Sequence, residues 1–74
     1  MSPSPDYTRA LVSSVLARMT YSRHATLELT FRSGAIYRYV AVPRPVVDGL
    51  IAAESKGTYF NTHVRNCFRS QRLA

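Results

Sequence analysis

The chain has 74 residues, of which 46% are hydrophobic, and carries a formal net charge of +6 from ten basic and four acidic side chains. This length allows a single domain, and a chain this short buries only about 60% of the surface that it exposes when unfolded. The hydrophobic content excludes a disordered linker. Charges and prolines interrupt every apolar stretch well before bilayer length, so we expect no membrane-spanning helix and no membrane partner.

The N-terminal region and the cysteine content indicate a cytoplasmic protein. Residues 1–6 lack the basic start and apolar run of a secretory signal peptide, and the single cysteine, Cys67, has no partner for an internal disulfide. Both Ser-Pro pairs lie in this region, which has no apolar period. We therefore expect residues 1–12 to be a flexible lead-in and residues 13–73 to be the folded domain.

Three segments are predicted to be strands. The first covers residues 14–21. Residues 26–32 alternate between polar and apolar side chains, which is typical of a half-buried strand. The turn residues Ser33 and Gly34 separate this segment from a third strand over residues 35–40. The last two strands are therefore predicted to form an antiparallel hairpin.

This hairpin has two candidate registers. A two-residue loop would place Arg38 opposite Leu29 on the apolar face. A three-residue loop, with Gly34 at the left-handed position of a bulged turn, avoids this conflict and gives both faces matching partners. We therefore predict three cross-strand pairs. They are Leu27–Tyr39, Glu28–Arg38 and Leu29–Tyr37.

Two helices are predicted to follow the hairpin. The first covers residues 45–54 and contains Gly49, which costs up to about 1 kcal/mol relative to alanine and so suggests close packing against the sheet. After a break at residues 55–57, the second covers residues 58–66. The predicted fold class is α+β, with a three-stranded antiparallel sheet and two helices packed on one face, in the order β-β-β-α-α.

Several short motifs follow one another from the third strand to the C-terminus. They are Tyr37-Arg38-Tyr39, Val42-Pro43, the break Ala53-Glu54-Ser55-Lys56-Gly57, Tyr59-Phe60-Asn61, Val64-Arg65, Phe68 and Arg72-Leu73. In order and spacing they resemble the KTSC domain, in which tyrosine is usual at the position of Phe68. The resemblance covers roughly residues 13–73 and implies the α+β fold.

The resemblance also implies a type of function. The KTSC domain is named for its place at the C-terminus of some lysyl-tRNA synthetases, and it also occurs as free-standing bacterial and phage proteins. The fusion to the synthetase suggests RNA binding. The family has no assigned catalytic residues, so none is carried over to this chain.

The titratable side chains argue against an enzyme. The four acids are Asp6, Glu28, Asp48 and Glu54, and no two of them are placed for acid–base chemistry. His63 and Cys67 lie four residues apart, but a zinc site would also need His24 and a fourth ligand. A small half-buried thiol is the commoner role for such a cysteine. We expect no cofactor, no metal and no small-molecule substrate.

The two strand tyrosines, Tyr37 and Tyr39, have two interpretations. Exposed strand aromatics hold unstacked bases in several RNA-binding sheets. The preferred register instead places both rings on the side of Leu27 and Leu29, beneath the helices, where tyrosine is a core residue with a polar tip. We therefore expect both tyrosines to be mostly buried, and Arg38 to be exposed near Glu28.

The arginine-rich C-terminal region is the preferred binding surface. Arg65, Arg69 and Arg72 are spaced i, i+4 and i+7, so they would form one stripe if the second helix continued. Guanidinium groups bind phosphate well, and RNA, including tRNA-like RNA, or another polyanion is the expected partner. The secondary contacts are Lys56, Arg38 and Arg32. A solvated basic tail in an arginine-rich protein is the alternative interpretation.

A protein-interaction module is the rival function. Ile36 and Val40 flank Arg38 on the sheet face that the two helices cannot cover. This apolar strip would bind a partner protein or a second copy of the chain as a homodimer, and an open edge strand offers another route to self-association.

Overall fold

The structure, a computed structural model, describes residues 7–74 and contains five strands and two helices. In chain order they are β1 (Tyr7–Ala10), β2 (Leu16–Tyr21), β3 (Leu27–Phe31), β4 (Ile36–Tyr39), α1 (Arg44–Ala52), α2 (Lys56–His63) and β5 (Ser70–Arg72). The strands form one antiparallel sheet in the order β1-β2-β3-β4-β5. The predicted α+β class with two helices is confirmed, and the predicted count of three strands is wrong.

The two additional strands lie at the two edges of the sheet. Strand β1 falls within the segment that was expected to be a lead-in, so that expectation is corrected for residues 7–10, while residues 1–6 lie outside the described part of the chain. Strand β5 is exposed along its length and is held to β4 by backbone hydrogen bonds, such as Leu73 N–H to Ile36 O at 2.7 Å. Neither strand has the apolar alternation by which strands are recognised in a sequence.

The register of the β3–β4 hairpin is the one predicted. Leu27 pairs with Tyr39, Glu28 with Arg38 and Leu29 with Tyr37. Gly34 has φ 99°, a left-handed conformation that glycine adopts at little cost, and its N–H donates to Phe31 O at 2.9 Å. The three-residue turn therefore sets the faces of β4, with Tyr37 and Tyr39 on the helix side.

Strand β2 contains an irregularity that places two core residues on one face. Leu16 and Met19 are three positions apart, so simple alternation would point them to opposite faces. The pairing with β3 shifts between Leu16 and Arg18, as in a β-bulge. Both Leu16 and Met19 are consequently fully buried.

The core lies between the helix side of the sheet and the two helices. Its buried residues are Leu11, Leu16, Met19, Leu27, Leu29, Tyr39, Val42, Val47, Leu50, Phe60 and Val64. The connection from β4 to α1 is fixed at Val42, whose N–H donates to Ala25 O at 2.8 Å and whose carbonyl accepts from the Tyr21 hydroxyl at 2.6 Å. Within the described residues, no helix is long and apolar enough to cross a membrane.

Both ends of α2 lie closer to the N-terminus than predicted. Ser55 caps the helix by accepting a hydrogen bond from Thr58 N–H at 3.3 Å, so the helix begins at Lys56. The helix ends at His63, and Asn66 follows with φ 63°. Asparagine tolerates this left-handed conformation better than most residues, which suits it to a chain reversal.

Gly49 packs closely against α2, whereas close packing against the sheet was expected. The Tyr59 hydroxyl and ring occupy the space in which a Cβ at position 49 would lie. The same hydroxyl donates a hydrogen bond to Val46 O at 2.9 Å. The absence of a side chain at Gly49 therefore lets Tyr59 link the two helices.

Replacing Gly49 with alanine is expected to destabilise the domain by about 1–3 kcal/mol. The displaced Tyr59 ring and the loss of its hydrogen bond to Val46 outweigh the gain in helix propensity of at most about 1 kcal/mol. Thermal melting of the variant and the parent measures the difference. In a Tyr59→Ala background the ring atoms nearest to position 49 are absent, so Gly49→Ala should there stabilise the chain by up to about 1 kcal/mol. A loss of stability of the same size in both backgrounds would contradict this account of Gly49.

Candidate nucleic-acid interface

An open groove of about 1050 Å³ lies on the helix side of the sheet, beside the first turn of α2. The β1–β2 loop at residues 12–15 lines one part of it, and the start of α2 lines another. These two parts meet at Gly57, where an added Cβ would lie 3.3 Å from Val15 Cγ2. The basic side chains that line it are Arg32, Lys56 and Arg65, and the acidic one is Glu54. We call this space the basic groove.

Backbone carbonyls hold two of the three cations of the basic groove in place. Arg32 donates from Nε to Ser13 O at 2.6 Å and from Nη2 to Leu11 O at 3.4 Å. Lys56 donates from Nζ to Ala53 O at 2.8 Å. A guanidinium has five N–H donors and an ammonium three, so both groups keep donors for a ligand.

The ion pairs of the described residues do not involve the cations of the basic groove. Among residues 7–74, none of Arg32, Lys56 and Arg65 has a carboxylate within ion-pair distance. The ion pairs of the described residues lie elsewhere, with Arg38 3.7 Å from Glu28 and Arg44 3.0 Å from Asp48. Each of the three groove cations therefore keeps its positive charge uncompensated in one space, which favours an anionic ligand.

Aromatic side chains line the interior of the basic groove. Phe31 packs edge-on against Tyr37 at a centroid distance of 5.8 Å and against Phe60 at 5.3 Å. Tyr39 packs against Phe60 at 5.9 Å and is only 5% exposed. Tyr37 is half-buried. The prediction of two mostly buried tyrosines is therefore confirmed: Tyr39 is almost completely buried, and Tyr37 packs against the core but keeps part of its surface in the groove.

The predicted arginine stripe does not form, because α2 ends before it. Arg65 follows the helix and lines the basic groove. Arg72 lies in β5 on the helix side, opposite Tyr37, with its guanidinium 5.8 Å from the ring centroid. Arg69 precedes β5, and its carbonyl accepts from Val40 N–H at 3.0 Å. The structure thus brings Arg65 and Arg72 near the groove that Arg32 and Lys56 line, and Arg69 is not among the lining residues.

The remaining predicted contacts lie on the opposite face of the sheet. Arg38 points there beside Glu28, as predicted, and is therefore separated from the basic groove by the sheet. Ile36 is half-buried opposite Thr30, and Val40 is 37% exposed after the end of β4. Arg38 lies between these two residues on this face, and Leu73, which directly follows β5 and is 39% exposed, donates its N–H to Ile36 O.

The side chains that were weighed as metal ligands do not come together. Within residues 7–74, no group of three or more His, Cys, Asp and Glu side chains is arranged to hold a metal ion. The His63 ring packs on Tyr59 at a centroid distance of 4.4 Å. Cys67 is exposed, contrary to the expectation of a half-buried thiol.

The environment of Tyr39 alters the ionisation of its hydroxyl. Burial raises the pKa of its hydroxyl above the ordinary value of 10.0, and the neighbouring Tyr37 raises that pKa further. The Arg65 guanidinium acts in the opposite direction, since it favours the ionised phenolate. This opposing effect indicates that Arg65 lies close enough to influence the aromatic lining of the groove.

The sequence did not indicate the accessible part of Tyr37 or the loop at residues 12–15. Alternation correctly placed Phe31 and Tyr37 on the helix side. Whether a helix covers a ring depends on where α2 crosses the sheet, and no local pattern encodes that position. The signal that was available is the shortness of the second helix, which was predicted to cover residues 58–66 and has eight residues in the structure.

Comparison with protein families identifies the KTSC domain at residues 12–68, which is more than half of the chain. The chain belongs to the KTSC domain family. A KTSC domain protein from Yersinia pestis, known from a crystal structure, superposes with a TM-score of 0.88 over 95% of this chain and 100% of that one. The sequence identity of that pair is 24%, so the similarity concerns the fold.

Two relatives show the settings in which similar sequences occur. An uncharacterised protein from Stutzerimonas stutzeri is 49% identical over 53 residues, which is 70% of this chain and 75% of that protein. A lysine–tRNA ligase from Nostoc punctiforme is 36% identical over 62 residues, which is 82% of this chain. The matched region is only 11% of the ligase, so the KTSC domain corresponds to a small part of that enzyme.

The raised pKa of Tyr39 predicts a loss of stability at alkaline pH. In the unfolded chain Tyr39 ionises near its ordinary value of 10.0, whereas in the folded chain it resists ionisation. Its contribution to stability is therefore complete below pH ~10 and decreases as the pH rises above that value. Tyr39→Phe removes the ionisable group, so its melting temperature should fall less steeply than that of the parent. Thermal melts on both sides of pH ~10 test this, and equal slopes for the two chains would contradict it.

Proposed function

We propose that this chain is a small nucleic-acid-binding module that holds phosphates in its basic groove, prefers RNA to DNA, and carries out no catalysis. The observation that carries the proposal is the set of three cations in that groove, none of which has a carboxylate partner among the described residues. Phosphate contacts from arginine and lysine supply most of the sequence-independent affinity for nucleic acid.

The position of the cations favours a specific set of contacts over a diffuse basic surface. Arg32, Lys56 and Arg65 line one space, and backbone carbonyls already orient the first two. A side chain held in place loses less conformational entropy when a ligand binds, so Arg32 and Lys56 are partly preorganised for phosphate contacts. Arg72 and Arg69 remain secondary contacts near the end of the chain. Arg38 is the weakest candidate, because Glu28 partly neutralises it on the opposite sheet face.

The preference for RNA rests on the relatives. Lysine–tRNA ligase acts with tRNA, and a segment similar to this chain forms part of such a ligase in Nostoc punctiforme. A module that adds affinity for tRNA-like RNA is consistent with that setting and with the basic groove. A cytoplasmic location, where such RNA is abundant, belongs to the same proposal.

Self-association is the second candidate, and the sheet edges favour it. Strands β1 and β5 are edge strands, and edge strands offer unpaired backbone groups to another chain. Val12 in the β1–β2 loop is 91% exposed and adds an apolar contact at the rim of the groove. Sedimentation over a range of protein concentrations, with and without RNA, separates a homodimer from an RNA-binding monomer.

Removing two groove cations is expected to weaken RNA binding and its dependence on salt. Each phosphate contact on single-stranded RNA contributes about 0.7 to the slope of log affinity against log salt concentration. A Lys56→Gln/Arg65→Gln variant should therefore have a salt slope that is smaller in magnitude by about 1.4 than that of the parent. Binding titrations of single-stranded RNA at several salt concentrations measure this change, and thermal melts check that the variant remains folded.

The matched control is Arg18→Gln/Arg23→Gln, which also removes two positive charges, but from positions outside the groove. Arg18 faces the opposite side of the sheet, and Arg23 lies in the β2–β3 turn. We expect the control to keep most of the slope of the parent. If both double variants lose the same amount, binding follows net charge alone and the basic groove is not the site. If the parent binds neither RNA nor DNA at low salt, self-association becomes the better function.

A further inference from the structure

Tyr37 is an aromatic residue of the basic groove that is only partly buried, although three neighbouring side chains contact its ring. Strand β4 places it on the helix side, two residues before Tyr39. Phe60 of α2 packs on Tyr39 and Phe31, but Tyr37 is only half-buried and lines the groove. The ring contacts of Phe60 therefore involve the neighbours of Tyr37, and Tyr37 itself stays partly exposed.

Three side chains contact the ring of Tyr37, and one of them, Tyr39, is stacked beside it at a centroid distance of 6.4 Å. Phe31 meets the Tyr37 ring nearly at right angles, with an interplanar angle of 78°. From β5, the Arg72 guanidinium lies 5.8 Å from its centroid, within the range of a cation–π contact. Arg72 in turn donates from Nε to Ala74 O at 2.9 Å. A restrained, accessible aromatic ring is a surface on which a flat ligand can stack at low entropic cost.

The space next to Tyr37 is large enough for more than a phosphate group. Its volume of about 1050 Å³ is at the upper limit of common ligand pockets, which span about 300–1,000 Å³. Asn61, Asn66 and Ser70 also line it and offer hydrogen-bond donors and acceptors. A site for phosphate alone needs cations and water, whereas aromatic and amide groups suit the face and the edge of a nucleobase.

We propose that the basic groove holds an unpaired segment of RNA, with one base stacked on Tyr37 and the flanking phosphates at Lys56 and Arg65. This inference rests on the proposed function and names the class of nucleic acid that the groove binds. In a duplex, neighbouring base pairs cover both faces of each base, so only an unpaired base offers a face to Tyr37. Single strands, loops and ends of RNA are therefore the ligands, and regular duplexes are not.

The first experiment changes the RNA and leaves the protein intact. Three probes are compared with the full chain at one salt concentration by fluorescence anisotropy: a short single-stranded RNA of mixed sequence, the same strand with abasic residues throughout, and a duplex containing that sequence. The single strand should bind about 5- to 150-fold more tightly than the abasic strand, which corresponds to the loss of one stacked base. The duplex should bind more weakly than the single strand.

The second experiment changes the ring. Tyr37→Phe keeps the stacking surface and should bind the single strand within about twofold of the parent, a difference well below that of a lost stacked base. Tyr37→Leu removes the aromatic face and should lose about 5- to 150-fold for the intact strand, with no loss for the abasic strand. The salt slope should stay that of the parent in both variants, because no phosphate contact is removed.

The outcomes separate this inference from the proposed function. Equal binding of the intact and abasic strands by the unaltered chain overturns the stacked base, even if Tyr37→Leu fails to fold. If Lys56→Gln/Arg65→Gln still weakens both strands in that case, phosphate binding in the groove stands without base stacking. If neither the cation variants nor the tyrosine variants change binding to any probe, the groove is not the site and both proposals fail. Tighter binding of the duplex than of the single strand also overturns the inference.

Discussion

The turn at Arg32, Ser33 and Gly34 is the constraint on which the rest of the domain depends. Its length fixes the pairing of β3 with β4, and a shift of one residue would move every side chain of β4 to the other face of the sheet. Arg38 would then face the core, and Tyr37 and Tyr39 would face away from the helices. The left-handed φ of 99° at Gly34 makes the three-residue turn inexpensive, so a single glycine decides where the aromatic lining of the groove lies.

The end of α2 is the second decisive feature, because it determines where the C-terminal cations lie. A longer helix would have aligned Arg65, Arg69 and Arg72 along one face, away from the sheet. The chain instead reverses near Asn66 and returns as β5 beside β4. Strand alternation then points Arg72 toward Tyr37, and Arg65 remains at the end of the helix beside the groove. The same backbone path thus separates the arginines from each other and brings two of them to the aromatic residues.

The charge distribution follows from which acids the fold places near which bases. Glu28 and Asp48 lie near Arg38 and Arg44, and exposed pairs of this type contribute little to stability. Their main consequence is to neutralise bases outside the groove. Arg32, Lys56 and Arg65 have no such partner among the described residues, although Glu54 lines the same space. The site proposed for RNA is therefore distinguished by three uncompensated cations that line one space together with aromatic side chains, and not by the total number of bases.

The sequence by itself determined the elements that depend on local chemistry. Alternating leucines predicted β3, Gly34 predicted the bulged turn and its register, and apolar spacing predicted both helices to within a few residues. The ends of α2 were missed although local signals were present, since Ser55 is a good N-cap and Asn66 favours a left-handed conformation. The resemblance to the KTSC domain was also readable from motif order, and the match at residues 12–68 confirms it.

Only the tertiary structure decided the edges of the sheet and the shape of the groove. Strands β1 and β5 have no apolar alternation and exist as strands because β2 and β4 offer hydrogen-bond partners to their backbones. The accessibility of Tyr37 likewise depends on where α2 lies over the sheet, which the contacts among Tyr39, Phe31 and Phe60 fix. Local patterns specify which face a side chain occupies. Whether that face is then covered depends on residues far apart in the chain, and only the packed structure brings those residues together.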